Sequence, residues 1–577
     1  MPTSLVERSN GALVKGGVRA QRRENRVVSA SIAVGAWIVG LLLQFHPMLL
    51  SGLHRMQSDW GDTRLNNYIL EHGYRWLLGF PGHERFWSPP VFYPAPNTAA
   101  YSDVLLGVAP FYWLWRVTGF APDTSFQLWM LTIATLNFVS AFVLFSRGFR
   151  IRPIASVIGA MLLSFAAERT AQVIHAQLIA HFYIAIAILA VLEIFRAEPE
   201  LRAGVMIVQR RTAWVFALAA ATAAQLYSSF YYGWFLIFAL AIAALWALVR
   251  PGTRRRVLLT ARANLGALAG AALASLLALA PLVSHYLEAQ RQVGTRSFAL
   301  VETMLPRLES WAYMGPSSWL YGWIAALSGF RDLPMEHEQR LGLGVVTVMC
   351  AATGLWMARR RRDVQFAVIV PLTMALLATE WPGGFTLWHA AYLYVPGAGA
   401  LRAVSRIGVA LLIPASLGVA LLIESLARTL RIPPSRTAMR LRQRDRLRRA
   451  LIAAMVTGVI VVEQVQEPRS YDKSEGRARV ARVANGIGAG CQLFLYTTTG
   501  GDDDPWNYHA DAMWASMERG IPTINGYSGN EPPLWSFYDI RAATPERDSV
   551  VTASAVQWAE HWRLDPARIC RVRTPPG

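Results

Sequence analysis

Charged residues make up only 16% of this 577-residue chain. A soluble protein carries about 25%, so the polar surface needed for a large water-soluble globule is missing. With it go a soluble enzyme, a fibrous protein and a disordered scaffold. Cysteine is nearly absent, at three residues, which excludes a disulfide-dense scaffold, and no Cys/His spacing resembles a zinc site. Lysine stands at Lys15 and Lys473, and arginine supplies nearly all the positive charge. The chain lacks G-x-x-x-x-G-K-S/T, G-x-G-x-x-G after a strand, the nucleophile-elbow G-x-S-x-G and H-E-x-x-H. ATP-driven transport, soluble-type nucleotide-sugar chemistry and metalloprotease chemistry therefore lack support. Neither an internal repeat nor a low-complexity segment stands out.

What the chain does have is apolar sequence: 54% hydrophobic residues and a mean hydropathy of +0.29. It falls into separate runs of about 16 to 23 residues, roughly the length that crosses a bilayer core. Eleven spans are predicted, near 28–50, 126–146, 153–168, 177–195, 213–229, 231–249, 264–283, 341–358, 364–379, 406–427 and 450–466. The formal charge of +19 and the pI near 10.3 would suit a nucleic-acid binder, but the distribution of charge argues otherwise. With a cytoplasmic N-terminus, about 31 of the 56 Lys+Arg fall in cytoplasmic segments and about 8 of the 37 acids do. The cytoplasmic side then carries about +23 and the outer side about −4. The basic loops Arg147/Arg150/Arg152, Arg254–Arg256, Arg359–Arg362 and Arg428 through Arg449 are topology signals, and no nucleic-acid partner is needed.

This reading gives a cytoplasmic segment over 1–27, a membrane domain over 28–466 and an external tail over 467–577. The first span is a retained signal-anchor, since no small-residue cleavage site follows it. The outer loops 51–125 and 284–340 exceed a mere connection, and loops of that length are usually functional. The apolar stretch Asp103–Trp115 is expected to lie on the outer face or re-enter; counting it as a span would invert every later basic loop. The tail alternates a strand (Cys491–Thr498), the acidic run Asp502–Asp504, a helix (Tyr508–Arg519), a strand (Pro522–Asn525) and the turn-rich NGYSGNEPP, which suggests a small α/β domain. Asp502–Asp504 reads as a solvated loop, with a bound cation as the alternative. Cys350 falls in a span. Cys491 and Cys570 share the tail, either as a disulfide or as two thiols.

Chemistry points to the outer ends of the spans. The first loop opens Ser58-Asp59-Trp60-Gly61-Asp62-Thr63-Arg64. Two carboxylates three apart share a helix face and can take a proton from an attacking hydroxyl; a helix N-cap and an ion pair with Arg64 are the plain alternative. Asp103, in Tyr101-Ser102-Asp103, is a third acid at that level. The aromatics of FWSPPVFYP suit either sugar stacking or interfacial anchoring. Glu168, Arg169, His175, Gln177 and His181 form a polar group at membrane depth, where such groups serve either function or helix-to-helix hydrogen bonding. Tyr231 stands in the turn YSSFYYG. Arg402 and Arg406 lie at the outer end of a span, where the charge rule does not favour them, and two arginines four apart can clamp a phosphate; pairing with acids is the alternative. Glu338 and Arg340 precede another span and face the same level.

The first-loop pattern SDWGD-x-R-x-x-N, FYP-x-P and YSD, the later RAVSRIG and the tail NGYSG-x-x-PP together resemble bacterial integral-membrane glycosyltransferases of the GT-C superfamily, in a subgroup of unassigned substrate. The resemblance implies a GT-C-like helical polytopic fold with about 11 transmembrane helices and a small external α/β C-terminal domain, in a bacterial inner membrane. It implies an inverting transfer from a polyprenyl-phosphate-linked sugar donor to a glycan, lipid or protein acceptor. Asp62 matches the essential first-loop acid, with Asp59 second. Arg64, Asp103, Glu168, His175, Tyr231, Glu338, Arg402 and Arg406 are candidates for donor or substrate binding. Asp62, Asp103 and Glu168 are candidate ligands for a divalent cation, Mg or Mn, although no tight D-x-D occurs.

Two rivals remain at this stage. A lipid-linked saccharide flippase should gather its polar groups at mid-membrane around a repeat, whereas the ionisable groups here collect at the outer face. The other is a non-catalytic membrane protein that binds a cell-envelope polymer.

Overall fold

The computed structural model describes residues 28–196, 200–202, 205–207, 209–427, 436–500 and 504–574. The predicted N-terminal segment, residues 428–435 of the last basic loop and Asp502–Asp503 of the acidic run lie outside them. The chain is a helical multi-pass membrane protein. Among the described residues seven helices are long and apolar enough to cross a membrane: Val28–Leu50, Pro122–Gly148, Pro153–Ile174, Ala176–Ile194, Phe230–Val249, Leu265–Val293 and Val404–Ala427. The other four predicted spans coincide with the helices Thr212–Ser228, Val345–Met357, Arg362–Ala378 and the latter part of Arg436–Glu463. Proline opens several helices (Pro122, Pro153, Pro251), where its missing N–H costs nothing. Small residues let helices touch: a Cβ on Gly354 would run into the carbonyl of Gly418, and one on Gly418 into that of Ala351.

The stretch Asp103–Trp115 gives a nine-residue helix, Ala109–Val117. At 1.5 Å per residue it reaches about 13 Å, less than half a bilayer core. It is pinned to the Asp62–Leu77 helix through Glu71. The buried Glu71 carboxylate accepts from Arg75 Nε at 3.1 Å, Arg116 Nε at 2.7 Å and the Tyr112 hydroxyl at 2.8 Å. The burial of Glu71 is tolerable because both of its oxygens have donors.

All three long non-spanning segments meet at one end of the bundle. Arg55–Gln57 pairs antiparallel with Ser470–Asp472, fastening the start of the first loop to the start of the tail. Asn97 Nδ2 donates to the carbonyl of His285. Trp319 N–H donates to the carbonyl of Val465. The tail is α/β: Leu493–Thr498 runs parallel to Ile569–Thr574, and single parallel bridges join Phe494 to Thr523 and Thr498 to Arg541. The helices Lys473–Asn485, Pro505–Arg519 and Pro545–His561 pack around it. Cys491 and Cys570 form a disulfide with Cα atoms 5.9 Å apart. The expected strand Pro522–Asn525 reduces to the bridge at Thr523, because the segment turns at once into the NGYSG loop. The tail does not have a core of its own: Leu65, Tyr68, Val91 and Phe92 of the first loop belong to the same apolar cluster as Leu495, Met513, Phe537 and Trp558.

Candidate functional site

Asp62 is the first residue of the helix Asp62–Leu77, where a carboxylate meets the positive end of the helix dipole. Gly61 is the N-cap and has no side chain to cap with, so Asp59 does it: its Oδ1 accepts from the backbone N–H of Thr63 at 3.2 Å and from the Thr63 hydroxyl at 3.1 Å. Asp62 is left to point at the centre of the loop end. There His175 sits at a break between two short 3-10 turns, Gln172–Ile174 and Ala176–Leu178, with non-helical backbone. His175 Nδ1 lies 2.7 Å from Asp62 Oδ2, and Nε2 lies 3.2 Å from Glu338 Oε1. Glu338, fully buried, accepts from Arg406 Nη2 at 2.5 Å and from Nε at 3.1 Å. The Arg406 guanidinium stacks over the Tyr231 ring at 4.8 Å. The result is one chain of alternating charge, Asp62–His175–Glu338–Arg406, assembled from distant parts of the sequence.

The electrostatics follow the geometry. Burial pushes the Asp62 carboxyl up, but the hydrogen bond and charge of His175, the Tyr527 hydroxyl and the Arg406 charge outweigh it and hold the group below its ordinary value of 3.8. Burial and Arg406 push the His175 ring down, and the hydrogen bonds to Asp62 and Glu338 carry it above 6.5. A ring nitrogen facing each of two carboxylates favours the imidazolium form of His175. Asp59 goes the other way: burial and the Asp62 charge raise it.

The remaining expected residues divide. Arg64 does not pair with Asp59 or Asp62. Two positions along a helix are about 200° apart, and Arg64 faces the tail, with Nη1 2.7 Å from Asp511 Oδ1. Arg402 and Arg406 do not form a clamp: Arg406 belongs to the 3-10 helix Val404–Leu411, and Arg402 precedes it in non-helical backbone. Arg406 is consumed by Glu338, as the plain reading had it. Arg402 is half-exposed and, among the described residues, its guanidinium makes no hydrogen bond or ion pair; its neighbour is Arg296, whose guanidinium burial and the Arg402 charge push below its ordinary value. Tyr231 works through its hydroxyl, which accepts from the backbone N–H of Arg402 at 3.0 Å and of Ala403 at 3.2 Å. Arg340 pairs with Glu336.

Asp103 and Glu168 stand apart from Asp62. Asp103 Oδ1 accepts from the backbone N–H of Phe230 at 2.6 Å, capping that span, and burial pushes its carboxyl up to about 6. Glu168 is buried, and neither of its carboxylate oxygens has a hydrogen-bond partner among the described residues. Asp62 faces His175 and Asp103 faces the Phe230 N–H, and among the described residues no group of three or more His, Cys, Asp or Glu side chains is arranged to hold a metal ion. The candidate set Asp62, Asp103 and Glu168 does not fit a divalent cation.

Below this layer a cavity of about 170 Å³ runs into the bundle. Arg169, His181 and Tyr232 stand at its head, and Ile184, Phe235 and Phe366 are among its apolar walls. Ile407, next in sequence to Arg406, lines it as well. Arg169 Nη1 donates to the Tyr232 hydroxyl at 3.0 Å.

Two site residues went unseen in the sequence. Tyr527, from the tail, donates its hydroxyl to Asp62 Oδ1. Arg296 donates through Nη2 to the Gly529 carbonyl at 2.7 Å and to Asn530 Oδ1 at 2.9 Å. The only signal for either was the turn-rich NGYSGN itself.

Residues 32–381 match the family described as "Domain of unknown function (DUF6311)". None of the curated proteins matches the chain. Among solved structures, the apo crystal structure of the Archaeoglobus fulgidus oligosaccharyltransferase is similar at TM-score 0.51 and 14% identity, over 93% of this chain and 69% of that one. The cryo-EM structure of the arabinofuranosyltransferase AftD from Mycobacteria gives TM-score 0.47 and 13% identity over 82% of this chain, which spans only 29% of that protein. Apo ArnT from Cupriavidus metallidurans gives TM-score 0.42 and 11% identity, over 87% of this chain and 90% of that one. The likeness to the oligosaccharyltransferase establishes the fold, and it is the GT-C fold.

Proposed function

The chain belongs to the DUF6311 family, and from that premise we propose that it is an integral-membrane glycosyltransferase of GT-C type. It moves a sugar, with inversion, from a polyprenyl-phosphate donor to a glycan, lipid or protein acceptor on the outer face of a bacterial inner membrane. The observation that carries this reading is one juxtaposition. A carboxylate at a helix start, Asp62, and the guanidinium of Arg402 both lie within electrostatic reach of Tyr527, and an apolar cavity lined by Ile407, next in sequence to Arg406, opens into the bundle. An amphipathic donor needs that order: hydrocarbon in the bundle, phosphate at the interface, sugar facing the loops.

In this reading Asp62 takes the proton of the acceptor hydroxyl as its oxygen attacks the anomeric carbon. The bond from that carbon to the phosphate oxygen breaks, and the leaving polyprenyl phosphate is met by Arg402 with Arg296 behind it. His175, Glu338 and Arg406 hold Asp62 in place. Asp59 holds the helix start that presents it.

The test is sugar transfer from radiolabelled polyprenyl-phosphate sugars to membrane acceptors, with wild type, Asp62→Asn and Asp59→Asn at matched folded yield. Wild type is expected to transfer, Asp62→Asn to lose at least about 100-fold, and Asp59→Asn to keep partial activity. Full activity in Asp62→Asn would remove the assigned base; transfer by no donor in wild type would remove the enzyme.

A further inference from the structure

The loop 525–530 crosses the mouth of the site as a strap fixed at both ends. At its start Asn525 is locked into the tail: its Oδ1 accepts from the Tyr496 N–H at 2.7 Å and its Nδ2 donates to the Tyr496 carbonyl at 3.1 Å. The Asn525 carbonyl accepts from the Phe92 N–H of the first loop at 3.0 Å. Gly526 lies flat on the Phe92 ring, where a Cβ would come within 2.5 Å. At the far end Gly529 lies against the Tyr101 carbonyl, 2.8 Å from where its Cβ would be, and Arg296 holds both Gly529 and Asn530. Between the anchors, half-buried Tyr527 reaches down and donates its hydroxyl to Asp62 Oδ1.

That bond is peculiar for a base. The other oxygen of Asp62 is held by the charged ring of His175, so Oδ1 is the oxygen best placed to receive a neutral hydroxyl, and a hydroxyl of the protein already binds there. The strap's middle is tied to the site by this one side chain, while Ser528 beside it is only half-buried and Gly529 is exposed. We propose that Tyr527 is the acceptor gate: its phenolic O–H holds on Asp62 the seat of an acceptor alcohol O–H, and the strap lifts when that acceptor arrives. This rests on the glycosyltransferase reading and sharpens it, because the nucleophile becomes a hydroxyl, of a sugar or other alcohol, and not an amide. It also gives the gate a purpose. While Tyr527 is seated it competes with water for Asp62, which slows attack by water on the donor's anomeric carbon and the release of free sugar and polyprenyl phosphate.

Two variants test it on the full-length protein in lipid nanodiscs. Tyr527→Phe removes the hydroxyl and keeps the ring; Gly526→Ala keeps the hydroxyl and lifts the strap off Phe92. Both are expected to lower the acceptor KM about tenfold, the size of one lost hydrogen bond to a charged group, and to raise kcat/KM for the acceptor with it. Donor hydrolysis without acceptor should rise by a similar factor. A fall in kcat with KM unchanged and no added hydrolysis would make Tyr527 a support of Asp62 and overturn the gate. Amide hydrogen exchange over 525–530 needs no substrate: it should quicken in Tyr527→Phe, and unchanged exchange overturns the latch. If wild type transfers no sugar, the enzyme reading falls, and the exchange result still decides whether Tyr527 holds the strap.

Discussion

His175 stands between two carboxylates drawn from distant parts of the chain, Asp62 at 2.7 Å and Glu338 at 3.2 Å. Its pKa lies above 6.5, while those of Asp62 and Glu338 lie below 3.8 and 4.5; for Glu338, burial is outweighed by the Arg406 and His175 charges. The histidine's contribution to stability is therefore full below 6.5 and fades as pH climbs through its raised value. The acids contribute above their ordinary values and lose that contribution as pH falls through the depressed ones. Thermal unfolding in detergent across pH 5 to 9 should show wild type losing stability on the alkaline side, and His175→Gln should flatten that loss. Parallel curves for the two proteins would mean that the imidazolium is not the charged centre of the group.

Arg402 and Arg406 are four positions apart and predict opposite phenotypes. Arg406 is buried against Glu338, so Arg406→Ala leaves a buried carboxylate without its partner, a loss of about 3–5 kcal/mol. Arg402→Ala breaks no side-chain bond within the described residues and should leave the unfolding midpoint unchanged. Its cost should appear in the donor, as a rise of about tenfold or more in the KM for the polyprenyl-phosphate sugar. A destabilised Arg402→Ala, or an Arg406→Ala as stable as wild type, would reverse the assignment.

How much of this was legible in the sequence depends on the range of the interaction. Apolar runs of bilayer length and the proline-led helix starts are local, and all eleven predicted runs coincide with helices. Asp59 as a cap was legible too, since its partner Thr63 is four residues away. Arg64 misled because sequence proximity to Asp62 hides the turn of the helix, which points it at Asp511, far along the tail. Likewise the four-residue spacing of Arg402 and Arg406 suggests a shared helix face, but Arg402 lies outside the helix that begins at Val404. Tyr527 meets Asp62 across a separation of 465 residues. Nothing in either residue's neighbourhood encodes such a contact; it exists because the tail's apolar core incorporates Leu65, Tyr68 and Phe92.

Asp103 offers a test that separates capping from catalysis. Its carboxylate caps the span that begins at Phe230, and burial lifts it to about 6. A raised pKa means that the neutral form suits the fold better: that stability is full below 3.8 and is lost as pH rises through about 6. Asp103→Asn keeps an oxygen for the Phe230 N–H and removes the charge. At pH 7 the variant should be more stable than wild type by on the order of 1–3 kcal/mol, and the two should converge near pH 4. A variant less stable at pH 7 would show that the charge itself is needed, in answer to the Arg406 guanidinium that lies within its electrostatic reach.

Arg64 and Asp511 fasten the tail to the first loop. Their charged atoms are 2.7 Å apart, both side chains are more than nine-tenths buried, and Arg479 Nη2 approaches Asp511 from the other side at 2.9 Å. Arg64→Ala should be costly, up to about 3–5 kcal/mol, with Arg479 as the partner that the buried Asp511 keeps. Replacing both with apolar residues of similar volume, Arg64→Met with Asp511→Leu, should recover much of that loss. The damage should be local: amide exchange should quicken in Pro505–Arg519, which carries Asp511, and in the 525–530 strap that the same domain holds over Asp62, while the spanning helices keep their protection. Uniform loss of protection would show that the tail and the bundle unfold as one cooperative unit, and that the shared apolar core binds them more strongly than this ion pair does.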